Sequence, residues 1–425
     1  MDDSLNGFTG FANKGQHSVP RYVRKDTGTY SDEPLQFDPD QLQDISPLDR
    51  RWAWVEIDLN AIKHNTQQIR SRIGRERRLL AVVKSDAYGH GAARVAKMAL
   101  NSGADYLGVA TINEAIELRE ALVNAPILIL SQPPETAIPL LLGYKVMPTV
   151  YTPDFAIQYA ETADAYGMDA PFHLAVNTGM NRIGVRFDEV VTFLQQISFH
   201  RALKLTGTFT HFATADESET LDFQRQFKRF VQAINAMTAA GFDPGIVHCA
   251  NSAAAIRFPE THCDMVRWGI SLYGLHPSSQ TRPLIDLKPA MSVHARITDA
   301  RFVPMSEGVS YGLHYRSPGS VKICTIPIGY ADGFNRLLSS KTDVIFQGRR
   351  YKQVGNICMD QCMFEVDLRS RGSYRAREPQ IGDEVLVLGR QGDAVITLDD
   401  MANTCGTISY ELACNFGLRM PKVYV

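Results

Sequence analysis

Residues 79–91, LLAVVKSDAYGHG, decide how this chain is read. The apolar run LLAVV has the length of a buried strand, yet it ends in a lysine, Lys84. Lysine is among the residues least often buried unless it is paired. The polar stretch that follows holds Tyr88 and two glycines, Gly89 and Gly91, which mark the turn into the next element. A cation at the mouth of a core strand points to chemistry there, and the rest of the chain says what kind.

Seven further apolar runs follow at a regular beat. They are YLGVA (106–110), PILIL (126–130), KVMPTVY (145–151), PFHLAV (171–176), LTGTFTHF (205–212), GIVHCA (245–250) and MVRWGI (265–270). Most gaps carry helix-period stretches such as AARVAKMAL, NEAIELREAL, PDFAIQYAETADAYG and DEVVTFLQQI. In TLDFQRQFKRFVQAINAM the expected apolar face is Leu221, Phe227, Phe230, Val231 and Ile234. Eight strands alternating with helices predict an α/β fold, a (β/α)8 barrel over residues 51–287. An open doubly wound sheet would usually place a GxGxxG after an early strand, and none follows one here. Beyond residue 287 the helical rhythm stops. SVHARITDARFVP, VKICTIPIGYADG, DVIFQGRRYKQVGNICMDQCMFEVD and EVLVLG read as a mainly antiparallel β domain over 288–425, with a short helix in ISYELACNFG. Residues 1–50 are polar and aperiodic and read as a loosely ordered extension.

Composition narrows the function classes. With 44 basic and 46 acidic residues the chain shows no charge bias toward nucleic acid or a membrane surface. No apolar run reaches the ~20 residues of a spanning helix, and the start of the chain lacks a signal pattern, so a cytoplasmic location is expected. The seven cysteines form no CxxC pair, which argues against a structural metal site.

Catalytic groups of a (β/α)8 barrel stand at the C-terminal ends of its strands. Lys84 closes the first; Arg182 follows the fifth, in NTGMNRIG; His211 closes the sixth; Asn251 and Ser252 follow the seventh; Arg267 and Gly269 lie in the eighth. A lysine beside anion-binding groups, without a carboxylate cluster, matches a Schiff base to an aldehyde cofactor that carries phosphate, namely pyridoxal phosphate. Ser252, the Tyr88 hydroxyl and backbone N–H groups around Ile270 suit the phosphate without added cations.

The motifs AVVKSDAYGHG, NTGMNRIGV, THFATAD, HCANSAA, VRWGISLYG, VSYG, GYADG, NICMDQ and TISYE occur in order from about Trp52 to Val425. Together they make the chain similar to the alanine racemases, the fold-type III pyridoxal phosphate enzymes. The resemblance implies that Lys84 carries the cofactor, with Tyr88, Asn251, Ser252, Gly269, Ile270 and Tyr410 around its phosphate. It implies that His211 stacks on the pyridine ring and that Arg267, backed by His248, meets the ring nitrogen. Tyr311 would be the second catalytic base, reaching the other subunit of a homodimer. Arg182 and Met359 would hold the substrate carboxylate, and Tyr330, Ile408, Asp216 and Asp360 would line or support the entrance.

The chemistry is consistent with these roles. Racemisation removes a proton from one face of a planar carbanion and returns it to the other, which a lysine–tyrosine pair does simply. Both side chains have free pKa values near 10, so both must be lowered to work at neutral pH. An arginine at the ring nitrogen has no acceptor site, and so weakens the ring as an electron sink and favours return of the proton to Cα over transamination.

Three positions depart from the family pattern. Ala175 stands where many members carry a carbamylated lysine, Asn177 replaces an acidic residue, and Asn356 stands where an arginine is frequent. A smaller group at Ala175 opens the alternative of a serine or broad-specificity racemase. A decarboxylase of the same barrel would need an acidic partner for the ring nitrogen, where Arg267 stands. A non-catalytic cofactor carrier would resemble the barrel alone, whereas this resemblance extends through the second domain.

Overall fold

The computed structural model describes residues 50–319, 321–367 and 377–425, so residues 1–49 of the expected extension lie outside the described residues. The eight anticipated runs form eight parallel strands: Arg78–Val82, Tyr106–Val109, Ile127–Ile129, Thr149–Val150, Ala170–Asn177, Leu203–Phe209, Ile246–His248 and Met265–Trp268. Helices cover the outside of such strands, which therefore read as unbroken apolar runs.

Regular pairing divides the strands into two sheets, one holding the eighth, first, second and third strands and the other the fourth to the seventh. Backbone hydrogen bonds join the two sheets at both seams. Ile129 N donates to Met147 O (2.9 Å) and Met147 N to Ile127 O (3.0 Å) at one seam. At the other, Asp264 N donates to Val247 O and Arg267 N to Ala250 O, each at 3.0 Å. The strands thus close into a ring, and their C-terminal ends share one rim.

The β domain forms a separate sheet of ten strands, mostly antiparallel, and draws most of them from residues beyond 290. One of its strands comes from the other end of the described chain. Ala53–Ile57 pairs antiparallel with Met291–Arg296 and parallel with Lys422–Tyr424. The sequence placed this segment with the barrel, but local sequence does not encode a strand's partner. Its buried Ala53, Trp54, Val55 and Ile57 pack in the β domain. A continuous apolar core, from Ala53 to Met420, runs through the barrel and the sheet.

The helix Leu221–Ala239 also differs from expectation. Its buried residues are Phe223, Gln226, Phe230, Ala233 and Met237, whereas Leu221 and Val231 are exposed. The stripe is rotated because Gln226, polar in isolation, is satisfied inside. Its Oε1 accepts from Ala213 N (2.9 Å), and its Nε2 donates to His211 O (3.3 Å) and Thr178 Oγ1 (3.4 Å). Among the described residues no helix is long and apolar enough to cross a membrane.

Candidate active site

A cavity of about 820 Å³ opens at the rim of the barrel and is bordered by residues from most of its strand ends. It brings together Lys84, Tyr88, Arg182, His211, Asp216, Asn251, Ser252, Arg267, Gly269, Ile270, Ile408 and Tyr410. Burial, and then the positive charge of Arg182, lower the pKa of the half-buried Lys84 amine, while Glu114 opposes them. Lys84 therefore loses its proton more readily than a lysine in water.

Neutral groups line one side of this space. Gly269 N donates to Ser252 Oγ at 2.9 Å. A Cβ on Gly269 would stand 3.4 Å from Tyr88 Oη and 3.7 Å from Ser252 Oγ, so all three border one small space. The Tyr88 and Tyr410 rings lie 6.4 Å apart, and burial raises the pKa of both phenols, keeping them protonated as donors. Asn251 borders the cavity and accepts from Ala254 N (3.0 Å), fixing the start of the helix Ser252–Arg257.

Arg267 forms the floor. Its side chain is almost fully buried and donates to Thr210 O (2.7 Å), Cys249 O (3.0 Å) and His248 O (3.1 Å). It also faces His248 Nδ1 at 3.0 Å and His211 Nδ1 at 3.2 Å. A guanidinium only donates, so both Nδ1 atoms accept and each neutral ring carries its proton on Nε2. His248 Nε2 then donates to His173 Nδ1 at 2.9 Å. Burial, reinforced by Arg267, holds all three imidazoles far below the usual histidine pKa, His173 at about 3. Burial also pulls Arg267 down to about 10, which leaves it cationic at neutral pH. His248 does not border the cavity; it stands behind Arg267 and holds it in place.

The loop NTGMNRIG carries Arg182 to the cavity wall beside Ala175. Asn177 organises that loop, its Oδ1 accepting from Gly179 N and Asn181 N, each at 3.1 Å.

Four anticipated residues lie elsewhere. Tyr311, Tyr330, Met359 and Asp360 do not border this cavity; all four are exposed, Tyr311 by 74%. The β domain gathers their loops. Tyr330 N donates to Cys358 O (3.0 Å) and Ala331 N to Met359 O (3.1 Å). Asn356 Nδ2 donates to Tyr311 O (2.7 Å). Asp360 pairs with Arg419 at 2.6 Å, and Arg419 with the buried Asp332 at 2.8 Å.

Sequence reasoning missed Glu114, Gln226 and Cys414. Cys414 borders the cavity. Glu114 takes the Ser85 N–H at 2.7 Å and so holds the residue beside Lys84. Both Glu114 and Gln226 act on backbone groups of a neighbouring loop; the T-x-x-E of Thr111–Glu114, a helix-capping pattern, was the sequence signal for Glu114.

The family model for the N-terminal domain of alanine racemase matches residues 57–277, and the model for its C-terminal domain matches residues 290–424. The alanine racemase of Desulfovibrio desulfuricans is 42% identical over 375 residues, covering 88% of this chain and 98% of that protein. The solved structure of alanine racemase from Bacillus anthracis with bound L-Ala-P superposes with a TM-score of 0.82 at 37% identity, covering 88% of this chain and 95% of the other. The histidine racemase from Leuconostoc mesenteroides subsp. sake superposes with a TM-score of 0.80 at 28% identity, covering 88% and 98%. The chain belongs to the alanine racemase family.

Proposed function

We propose that this chain is a pyridoxal phosphate-dependent alanine racemase that interconverts L- and D-alanine. In this reading it works in the cytoplasm as a head-to-tail homodimer and supplies D-alanine for peptidoglycan. The observation that carries the reading is the convergence of Lys84, Tyr88, Ser252, Arg267 and Arg182 on one cavity.

The residues present fit the cofactor. The space between Gly269, Ser252 and Tyr88 offers neutral donors to a phosphate. Arg267, held rigid by three backbone carbonyls, offers a permanent donor to a ring nitrogen. Lys84 stands across the same cavity with an amine that sheds its proton readily. When bound, pyridoxal phosphate supplies an electron-withdrawing ring that acidifies the Cα proton of an amino acid held on it.

Lys84 takes or returns that proton on one face. The partner subunit's Tyr311 does so on the opposite face, because the Tyr311 of the same chain lies outside the cavity. Arg182 orients the substrate carboxylate from the loop it stands on, helped by the partner subunit's Met359. Ile408 and Asp216 line the approach, and the resemblance adds Tyr330 and Asp360 at its entrance.

The test is a racemisation assay from both L- and D-alanine on the purified protein, with borohydride fixing of the yellow chromophore and variants Lys84→Ala and Tyr311→Phe. The proposal expects two-way racemisation, loss of the fixed chromophore in Lys84→Ala, and a kcat about 10²–10⁴-fold lower in Tyr311→Phe. A Tyr311→Phe protein with full two-way activity would overturn the two-base assignment. Colour without racemisation would favour a cofactor carrier, and carbon dioxide release a decarboxylase.

A second reading, a racemase for larger amino acids, draws on Ala175. Its small side chain borders the cavity beside Arg182, and a histidine racemase shares the fold. Turnover of serine or a larger amino acid within tenfold of alanine would support it, and strict alanine preference would exclude it.

A further inference from the structure

The residues after Lys84 adopt a conformation that their side chains disfavour. Ser85 (φ 53°, ψ 51°), Asp86 (φ 51°, ψ 47°) and Ala87 (φ 54°, ψ 50°) are left-handed, and so is Tyr88 (φ 53°). In this region an L residue's Cβ crowds the following carbonyl, so non-glycine residues enter it singly rather than in runs. None of the four is glycine. The turn is therefore imposed by its surroundings, and its neighbours identify how.

On one side stands Glu114, from the helix Ile112–Glu120. Its Oε1 accepts the Ser85 N–H at 2.7 Å, and its Oε2 accepts Ala110 N at 2.6 Å and Thr111 N at 3.2 Å. One carboxylate thus ties the start of the turn to the end of the adjacent barrel strand. On the other side Asp86 Oδ1 accepts Ala92 N at 2.7 Å. Its Oδ2 meets Lys422 Nζ at 2.7 Å, and that ammonium also donates to Gly417 O at 3.1 Å. Lys422 opens the last strand of the β domain. A Cβ on Gly89 would stand 2.4 Å from Ala413 O, so the helix that carries Tyr410 packs directly on the end of the turn.

We infer that Glu114 and the Asp86–Lys422 pair are positioning residues that clamp this left-handed turn from opposite sides, so that Lys84 and Tyr88 face the cavity together. The inference rests on the proposed role of Lys84. It also gives the β domain a task at the cofactor lysine of its own chain: Lys422 braces that lysine's turn.

Holoenzymes carrying Glu114→Ala, Glu114→Gln or Lys422→Met test the clamp. Release of pyridoxal phosphate is followed by loss of its protein-bound absorbance in hydroxylamine, and kcat and KM are measured on alanine. Release should be at least tenfold faster in Glu114→Ala and at least threefold faster in Lys422→Met. In both, kcat should fall while KM stays within threefold. Glu114→Gln keeps one acceptor oxygen but turns its NH2 onto N–H groups that the second carboxylate oxygen accepts, so its release should fall between those of Glu114→Ala and the parent. Release and kcat within twofold of the parent in both Glu114→Ala and Lys422→Met would overturn the clamp. If Glu114→Ala does not fold, Lys422→Met, a change to a partly exposed pair, decides the question by the same criterion. A Lys84→Ala control separates the two readings. Loss of the fixed chromophore there with unchanged release in the clamp variants refutes the clamp alone, whereas a retained chromophore refutes the role of Lys84 and the clamp with it.

Discussion

Replacing Gly207 by Ala should strike the structure beneath Arg267 through a single added methyl group. Gly207 sits opposite His173 in the adjoining strand. A Cβ there would lie 2.6 Å from His173 Cε1, 2.7 Å from Nδ1 and 2.9 Å from Nε2. Non-bonded carbon atoms prefer about 3.5–4.0 Å, so the ring must retreat by roughly 1 Å. It has little room, since His173 is 0% exposed. Retreat would also stretch the 2.9 Å hydrogen bond from His248 Nε2 to His173 Nδ1 past a useful length. Overpacking of this kind costs about 1–3 kcal/mol, and a weakened buried hydrogen bond about 1 kcal/mol more. The expected loss is therefore about 2–4 kcal/mol of unfolding free energy, read by urea denaturation of the apoprotein. The clash has a specific partner, so a double-mutant cycle isolates it. In a His173→Ala background the same Gly207→Ala change should cost less than about 0.5 kcal/mol, because the ring it would strike is gone. An equal cost in both backgrounds would refute the steric account.

Three further outcomes are expected. Gln226→Leu deprives Ala213 N of its acceptor and His211 O of its donor, which should cost about 1–3 kcal/mol in urea denaturation; a change below about 0.5 kcal/mol would mean that the loop holds itself. Burial keeps His90 and His173 neutral in the fold, with pKa values of about 4 and about 3 against 6.5. The unfolded chain therefore takes up protons as pH falls below 6.5, and stability should drop on the order of 2 kcal/mol per histidine by about pH 5; a urea midpoint that is flat from pH 7 to 5 would contradict this. Asp332→Ala leaves Arg51 and Arg419 without their shared buried partner. Both arginines are partly exposed and Arg419 keeps Asp360, so the cost should be about 1–3 kcal/mol, mainly from the buried Gly329 N–H left without its acceptor, checked by thermal unfolding.

The barrel was legible because most of its strands are short, largely buried apolar runs, and because a barrel gathers its strand ends on one rim. That rule alone put Lys84, His211, Ser252 and Arg267 together. What stayed hidden depends on contacts between segments distant in sequence. AWVEI at 53–57 is a short apolar run like those of the barrel strands, and only its pairing with Met291–Arg296 assigns it to the β sheet. Ser-Asp-Ala-Tyr gives no local sign of a left-handed turn; Glu114 and Lys422 impose it from 29 and 336 residues away along the chain. Gln226 reads as solvated until the loop that needs its amide is folded against it.

The departures from the family pattern take on meaning in the same terms. Asn177 spends its side chain on the loop that carries Arg182, accepting two backbone N–H groups and donating to Asn181 Oδ1 at 3.0 Å. Gly184 brings the loop back flat against its own strand, where a Cβ would stand 2.8 Å from Asn177 N. The backbone of this loop therefore sets where Arg182 starts, without a charged group at Ala175. Asn356 does the corresponding work in the β domain. It donates to Tyr311 O, and its own carbonyl accepts from Ser310 Oγ at 2.6 Å. Ser310 (φ 68°) and Leu313 (φ 49°) are both left-handed around Tyr311, so the amide braces a turn that would otherwise relax. At both places, where the resemblance leads one to expect charge, an uncharged amide bonds to backbone. The geometry of Arg182 and Tyr311 then depends on short loops and much less on salt, because hydrogen bonds between neutral groups are not screened as ion pairs are.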